Sequence, residues 1–309
     1  MQRFATTNLP VVPERTFMTD DAVEVMRFAA QSFDGGHGVA LATLVQIRGG
    51  SARPIGSHMA IRDDGLYCGF VSGGCTEAAV ASEALEAIAK GCDRKLLLGE
   101  GSPFFDIVLP CGGGITIAIH VVRGSATLRA VISALDTRLP ASLCYEPAMQ
   151  RLAPIDASNQ TGWSGDGFVT HYRPRVRVVL AGRSIEMEVV AKVAVAAGYD
   201  VQSYDGRTTG LVPETIDADT AVALLYHDID MEIPVFETVL RSAPFYIGAL
   251  GSSRTHGRRV QRLKELGYSE TEISRIKSPI GLFNKARDSQ SLALSVLADI
   301  AACRLSHVR

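Results

Sequence analysis

The segment Val176-Arg177-Val178-Val179-Leu180-Ala181-Gly182-Arg183-Ser184 has the pattern of a strand that ends in a glycine turn and leads into a helix. Its nearly continuous apolar residues are typical of a strand buried on both faces of a sheet. Further apolar stretches at 199–204, 220–226 and 245–250 alternate downstream with helical patterns. This alternation predicts a Rossmann-like, doubly wound parallel sheet in the C-terminal half.

The N-terminal half mixes strands and helices without that regular alternation. A helix is expected at 16–33 and a strand at 105–110, from the spacing of their apolar residues. The change of pattern falls at Arg173-Pro174. We therefore predict an α/β protein with an N-terminal α+β domain over residues 1–173 and a Rossmann-like domain over residues 174–309.

Composition narrows the class of protein. The chain has 309 residues, of which 47% are hydrophobic, and a formal net charge of -2. That charge gives no reason to expect nucleic acid or an anionic membrane as partner, and the N-terminus does not have the pattern of a secretory signal. Six cysteines are too few for a disulfide scaffold in a chain of this length. We expect a reduced, cytoplasmic protein.

Two cysteines lie in glycine-rich turns. Cys75 follows Ser72-Gly73-Gly74 and opens a helical pattern, in which Glu77 is expected only to complement the helix dipole. Cys111 is followed by three glycines. Glycine lets a backbone approach a ligand closely, and a thiol at a helix N-terminus is shifted toward thiolate. The residues predicted to bind a cofactor in these turns are Cys75, Cys111, Gly73, Gly74, Gly112 and Gly113.

Other interpretations of the cysteines stay open. Each cysteine alone is more often a packing residue. A Cys75–Cys111 disulfide is disfavoured in a reducing compartment. Zinc is disfavoured because neither cysteine belongs to a C-x-x-C pair and no histidine lies at ligand spacing.

Phosphate-binding candidates occur in both halves. Gly248, Gly251 and Ser252 form a turn before a helix, where backbone N–H groups suit phosphate. Arg53 lies in a glycine-containing turn and is a candidate phosphate ligand.

Nucleotide binding is a separate question for the C-terminal half. Asp205 and His227 follow its second and third strands, at the edge where doubly wound sheets bind ligands. The dinucleotide fingerprint is poor, because Leu180 stands where the first glycine is expected. A nucleotide-dependent oxidoreductase that uses Asp205 for the ribose is therefore the alternative interpretation.

Six motifs follow one another along the chain: Gly50-Ser51 with Pro54 and Gly56, Ser72-Gly73-Gly74-Cys75-Thr76-Glu77, Pro110-Cys111-Gly112-Gly113, His227-Asp228, Tyr246-Ile247-Gly248-Ala249-Leu250-Gly251-Ser252 and Ser278-Pro279-Ile280-Gly281-Leu282. In this order they resemble the motifs of the XdhC/CoxI maturation factors. The resemblance implies a cytoplasmic chaperone, not an enzyme, that binds molybdenum cofactor (molybdopterin). For family members that serve aldehyde oxidoreductases, the implied cargo is the cytosine dinucleotide form. It places Cys75 and Cys111 near the molybdenum or its sulfido ligand.

The same resemblance implies partners. The chaperone would protect the cofactor, support its sulfuration by a cysteine desulfurase, and insert it into an apo molybdenum hydroxylase of the xanthine dehydrogenase or aldehyde oxidoreductase type. A cofactor cytidylyltransferase is a further implied partner, and a homodimer is compatible with the family. A third interpretation is a docking protein that binds no ligand and whose cysteines only pack.

Overall fold

The computed structural model describes residues 11–100, 112–156, 158–206, 211–283 and 286–306. The chain forms two compact units, residues 1–174 and residues 175–309. Among the described residues, no helix combines the length and the apolar character needed to cross a bilayer.

The first unit is built on a six-stranded sheet with the strand order β1-β4-β3-β2-β6-β5. Its strands are β1 (Glu14–Arg15), β2 (Val39–Arg48), β3 (His58–Arg62), β4 (Leu66–Gly69), β5 (Arg94–Gly99) and β6 (Gly114–Val121). Strand β2 is antiparallel to β3 and β6, β3 to β4, and β5 to β6. Strands β2, β4 and β5 therefore end at the same edge of the sheet at which β6 begins.

Helices cover both faces of this sheet. Helix α2 (Glu77–Lys90) packs on one face, and helices α1 (Ala22–Asp34) and α3 (Ala126–Asp136) pack on the other. Alternate residues of β2 enter the two cores, since Ala40 belongs to the α2 side and Leu41 to the other. Because α2 follows β4, its N-terminus lies at the edge where β4 ends.

A second, four-stranded antiparallel sheet completes the unit in the order β8-β7-β10-β9. Its strands are β7 (Ala141–Glu146), β8 (Arg151–Ile155), β9 (Gly162–Ser164) and β10 (Gly167–Tyr172). Tyr145 and Phe168 pack against Val45 of β2 and Ala118 of β6, which fixes this sheet on the larger one.

The second unit is a five-stranded sheet with the order β12-β11-β13-β14-β15, and all its neighbouring strands are parallel. Its strands are β11 (Arg177–Gly182), β12 (Asp200–Tyr204), β13 (Thr220–Leu225), β14 (Tyr246–Ala249) and β15 (Ile276–Lys277). Its helices are α4 (Ile185–Ala196), α5 (Ile229–Arg241), α6 (Ser253–Glu265), α7 (Glu270–Ser274) and α8 (Ser289–Ser306). Helices α4 and α8 cover one face, and α5, α6 and α7 the other. The predicted doubly wound parallel sheet is confirmed.

Some sequence predictions need correction. The helix expected at 16–33 begins only at Ala22, because the Asp21 side chain accepts a hydrogen bond from Val23 N (2.8 Å) and caps the helix there. Strands β5 and β15 and helix α5 were not predicted, and α5 contains Pro234, which is unusual inside a helix. The strand expected at 105–110 lies outside the described residues.

Candidate functional site

The turn that carries Cys75 is held by one buried carboxylate. Glu77 is completely buried, and Oε1 accepts hydrogen bonds from Ser72 N (2.8 Å) and Ser72 Oγ (2.9 Å). Its Oε2 accepts from Thr76 N (3.2 Å). The prediction that Glu77 only complements the helix dipole is therefore incomplete, because its side chain closes the turn on itself.

Closure of the turn leaves Cys75 at the surface. The Cys75 side chain is exposed, and its Sγ lies 3.7 Å from Ser72 Oγ. Gly74 has a φ of +105°, a conformation that favours glycine. Thr76, which precedes α2, is buried and its Oγ1 has no hydrogen-bond partner among the described residues. Cys111, the other predicted cysteine, lies outside the described residues.

The loop at 49–57, between β2 and β3, lies against both predicted glycine turns. A Cβ on Gly113 would lie 2.6 Å from the Gly50 carbonyl oxygen, so only glycine fits there. A Cβ on Gly73 would lie 3.3 Å from Ala52 Cβ. Gly112 is exposed, with a φ of +69°. The structure thus brings Gly73, Gly74, Cys75, Gly112 and Gly113 to one edge of the large sheet.

Two arginines lie beside the Cys75 turn. The guanidinium carbons of Arg15 and Arg53 lie 4.6 Å and 5.2 Å from the centre of the Phe70 ring. Arg53 also forms an ion pair with the exposed Asp20 (2.6 Å), whereas Arg15 Nε is buried without a hydrogen-bond partner in the described part of the chain. These two cations make this edge suited to an anionic ligand, whereas the N–H groups before α2 are already bound by the Glu77 carboxylate.

In the second unit, the residues around the turn after β14 have different roles. Gly248 lies inside β14, where a Cβ would lie 2.6 Å from Ile280 Cδ1, so its glycine serves packing. Gly251 has a φ of +125°, and Ser252 caps α6 by accepting a hydrogen bond from Thr255 N (3.3 Å). The buried Arg259 donates to the Leu250 carbonyl oxygen (2.7 Å) and fixes the turn from below.

Asp205 and His227 lie at the same sheet edge as this turn, after β12 and β13. Arg183 Nε donates to the Asp205 carbonyl oxygen (2.5 Å). His227 is 69% exposed at its side chain and its Nε2 lies 3.8 Å from Glu186 Oε2. His227 also lines a polar cavity of about 390 Å³ with Asp228 and the α6 residues that include Arg258.

Glu186 lies in the first turn of α4, the helix whose N-terminus faces the pyrophosphate in dinucleotide-binding sheets. Hydrogen bonds from the Ser184 hydroxyl and from the Glu186 backbone lower the pKa of its carboxyl, and His227 lowers it further. A carboxylate at a helix N-terminus repels the phosphates that otherwise bind there. This observation disfavours the alternative of an oxidoreductase that uses NAD in the usual way.

Three residues of the first edge were missed or underrated from the sequence. Phe70 and Arg15 belong to no sequence motif. They come together only through the pairing of β1 with β4, in which Arg15 lies opposite Tyr67. Glu77 does carry a signal, since it stands at the end of Ser72-Gly73-Gly74-Cys75-Thr76-Glu77. An acid at this place, just after a glycine turn, can reach back to the amides of that turn.

These features define a class: a two-unit α/β protein with an exposed cysteine on a glycine turn and a doubly wound parallel sheet. Residues 33–98 match the model of the XdhC and CoxI family, and residues 178–300 match the XdhC Rossmann domain. The chain belongs to the XdhC and CoxI family, which confirms the resemblance seen in its motifs.

Individual relatives agree with this assignment. The chain is 50% identical over 297 residues, 95% of this chain and 92% of the relative, to the molybdenum cofactor insertion chaperone PaoD of Escherichia coli K12. It is 22% identical to a protein of Bacillus subtilis 168 described as a probable xanthine dehydrogenase component, over 85% of this chain and 92% of that protein. The crystal structure of a xanthine dehydrogenase from Bacillus halodurans shares the fold, with a TM-score of 0.70 at 18% identity over 92% of this chain and 96% of that one.

Proposed function

We propose that this chain is a molybdenum cofactor insertion chaperone. It binds the cofactor, protects it, and delivers it to an apo molybdenum hydroxylase of the xanthine dehydrogenase or aldehyde oxidoreductase type. The observation that carries the proposal is the exposed Cys75 on a turn fixed by Glu77, in a chain half identical over nearly its whole length to a chaperone of this kind.

The donor set at the Cys75 edge suits such a cargo. Thiolate sulfur is a soft ligand, which matches a metal that is itself bound through sulfur. The guanidinium groups of Arg15 and Arg53 suit the phosphate of a pterin cofactor. Cys75 and Cys111 would lie toward the molybdenum or its sulfido ligand, with Gly73, Gly74, Gly112 and Gly113 around them.

Finer parts of the proposal follow from the family. The cargo would be the cytosine dinucleotide form, received from a cofactor cytidylyltransferase. A cysteine desulfurase would supply the terminal sulfur while the chaperone holds the cofactor in the cytoplasm. A homodimer would be the working form. In the second unit, Gly251, Ser252, Asp205 and His227 would contribute to cofactor binding.

Reconstitution tests the function directly. Purified chain is loaded anaerobically with molybdenum cofactor and added to an apo hydroxylase of the aldehyde oxidoreductase type, and substrate oxidation is followed over time. We expect faster and more complete activation than with free cofactor, and loss of that advantage in a Cys75→Ala/Cys111→Ala variant. Equal activation by the wild type and by this variant would remove the role of the cysteines, and equal activation by free cofactor would remove the proposed function.

A further inference from the structure

The C-terminal unit has a point where strand order reverses. In the order β12-β11-β13-β14-β15, the chain leaves β11 toward β12 on one side and then returns to β13 on the other. Ligands of such sheets bind in the crevice at the carboxyl ends of the two strands that flank this point. The first residues beyond those ends are Arg183 after β11 and Tyr226 after β13.

Tyr226 carries a buried polar group that nothing satisfies in the described part of the chain. The residue is 6% exposed, and its hydroxyl has no hydrogen-bond partner among the described residues. Burial raises the pKa of the Tyr226 hydroxyl, and nearby Tyr204 raises it further, so the group is a neutral donor and acceptor. A buried hydroxyl without a partner is costly, and such groups are rare in native folds.

The Tyr226 hydroxyl lies close to Gly206, together with Arg183 and Met231. A Cβ on Gly206 would lie 3.4 Å from Tyr226 Oη, 3.5 Å from Arg183 Nη2 and 3.8 Å from the methyl group of Met231. A phenol, a guanidinium and a thioether methyl thus surround one point beside the backbone. Gly206 has a φ of +75°, so the backbone conformation at this position favours glycine.

The charges around this point select what can bind. The Glu186 carboxylate in the first turn of α4 disfavours phosphate there. Arg183 donates from Nε to the Asp205 carbonyl oxygen, and its two Nη atoms have no hydrogen-bond partner among the described residues. A guanidinium binds a phosphate through two parallel hydrogen bonds. The Tyr226 hydroxyl can meet a sugar hydroxyl, and Met231 can contact the apolar face of a sugar or base.

We propose that Arg183, Gly206 and Tyr226 form a binding site for the sugar and phosphate of a nucleoside 5′-monophosphate. Such a group occurs both as a free nucleotide and as the nucleotide half of a dinucleotide-form cofactor. The second source rests on the proposed function, and the first does not.

Removal of a single hydroxyl tests the site. Cytidine and adenosine 5′-monophosphate and inorganic phosphate are titrated calorimetrically into the wild-type protein and into Tyr226→Phe. Both nucleotides should bind more tightly than phosphate, and Tyr226→Phe should weaken the nucleotides about fivefold, as for one lost hydrogen bond. Thermal stability of this variant should stay equal or rise, because the hydroxyl has no partner among the described residues of the free protein.

Tyr268→Phe is the matched control, since Tyr268 Oη is also buried without a partner in the described residues but follows α6 at the opposite edge of the sheet. It should leave nucleotide affinity unchanged. Equal nucleotide affinity in Tyr226→Phe and in the wild type, or phosphate binding as tight as nucleotide binding, would overturn the site.

The two sources are separated by a second measurement. Cofactor in mononucleotide and dinucleotide form is loaded onto the wild type and Tyr226→Phe, and released pterin is quantified. A loss confined to the dinucleotide form in Tyr226→Phe assigns the site to the cargo, and equal losses or none leave it to a free nucleotide. Retention by the wild type is read separately, so failure of the chaperone function remains distinguishable.

Discussion

The glycine turns of the two units are held by opposite buried charges. In the first unit, the Glu77 carboxylate accepts hydrogen bonds from the backbone and from a serine hydroxyl, and no ion pair to it is seen among the described residues. In the second unit, Arg259 holds the Leu250 carbonyl oxygen, but Glu232 neutralises it through two hydrogen bonds of 2.7 Å and 2.9 Å. The charge of Glu77 is therefore held by neutral hydrogen-bond donors, whereas the charge of Arg259 is balanced by a buried carboxylate.

The groups that remain available to a ligand differ between the two edges. At the Cys75 edge, a thiol and two guanidinium groups lie beside a fixed turn. At the second edge, Ser252 caps α6, the Glu186 carboxylate lies in the first turn of α4, and the Tyr226 hydroxyl is a buried donor without a partner among the described residues. The first edge therefore suits the molybdenum end of a cofactor, and the second suits a weaker contact with another part of the ligand.

Removal of Arg259 should have the largest effect on stability. Arg259→Ala leaves Glu232 buried and unpaired, so the second unit should lose about 4 kcal/mol of unfolding free energy. Arg262→Ala on the same helix breaks only an exposed pair with Glu265 and should change stability by less than about 0.5 kcal/mol. Urea unfolding followed by circular dichroism measures both. Similar losses in the two variants would show that the buried pair does not hold the turn.

Acid should weaken the first unit through His58. Burial lowers the pKa of His58 to about 4, and its ring nitrogens lie 2.9 Å from Thr43 Oγ1 and 2.6 Å from Tyr172 Oη. The folded state keeps the ring neutral, so its contribution is complete above pH 6.5 and is lost as pH falls toward 4, by about 3 kcal/mol.

Trp163 is the only tryptophan and lies in the first unit, so its fluorescence during urea unfolding reports this unit. The unfolding free energy should drop between about pH 6.5 and pH 4.5 in the wild type and stay nearly level in His58→Gln. The same slope in both proteins would contradict the assignment to His58.

Glu77→Ala should loosen the Cys75 turn of the first unit. The backbone N–H groups of Ser72 and Thr76 lose their acceptor, which should cost about 2 kcal/mol of unfolding free energy and release the Cys75 turn. Glu86→Ala on the same helix removes only an exposed pair with Lys90 and serves as control. Chemical denaturation and cofactor retention are measured together. If Glu77→Ala matches Glu86→Ala in both, the carboxylate does not organise the site.

The smallest expected effect concerns Arg15. Arg15→Met keeps the contact with Phe70 but removes the charge, so retention of an anionic cofactor should fall about fivefold with little change in stability. Arg27→Met, which alters an exposed pair with Asp136, should retain cofactor like the wild type. The cofactor retained after gel filtration is compared between the two variants. Undiminished retention in Arg15→Met would show that the phosphate is bound elsewhere.

The sequence predicted most of the second unit and less of the first site. Strands such as β13 are continuous apolar runs, so the sequence alone indicates that they are buried. The missed β5 has charged residues at its start, and the missed α5 contains a proline, so local signals opposed both elements. The glycine turn of Cys75 was predicted, but the hydrogen bonds of Glu77 depend on its orientation in three dimensions. The Arg15–Phe70 contact and the unsatisfied Tyr226 hydroxyl likewise arise only when distant segments pack.

Cofactor retention by two cysteine variants shows whether Cys75 contacts the cargo. Cys75 and Cys92 lie beyond opposite ends of α2 and both are exposed. Each is replaced by alanine, the proteins are loaded with molybdenum cofactor and gel-filtered, and the fluorescence of oxidised pterin released from them is measured. We expect Cys75→Ala to release at least about tenfold less pterin than the wild type, as for the loss of a metal-directed thiolate, and Cys92→Ala to match the wild type. Equal pterin release from both variants would contradict a cargo site at Cys75.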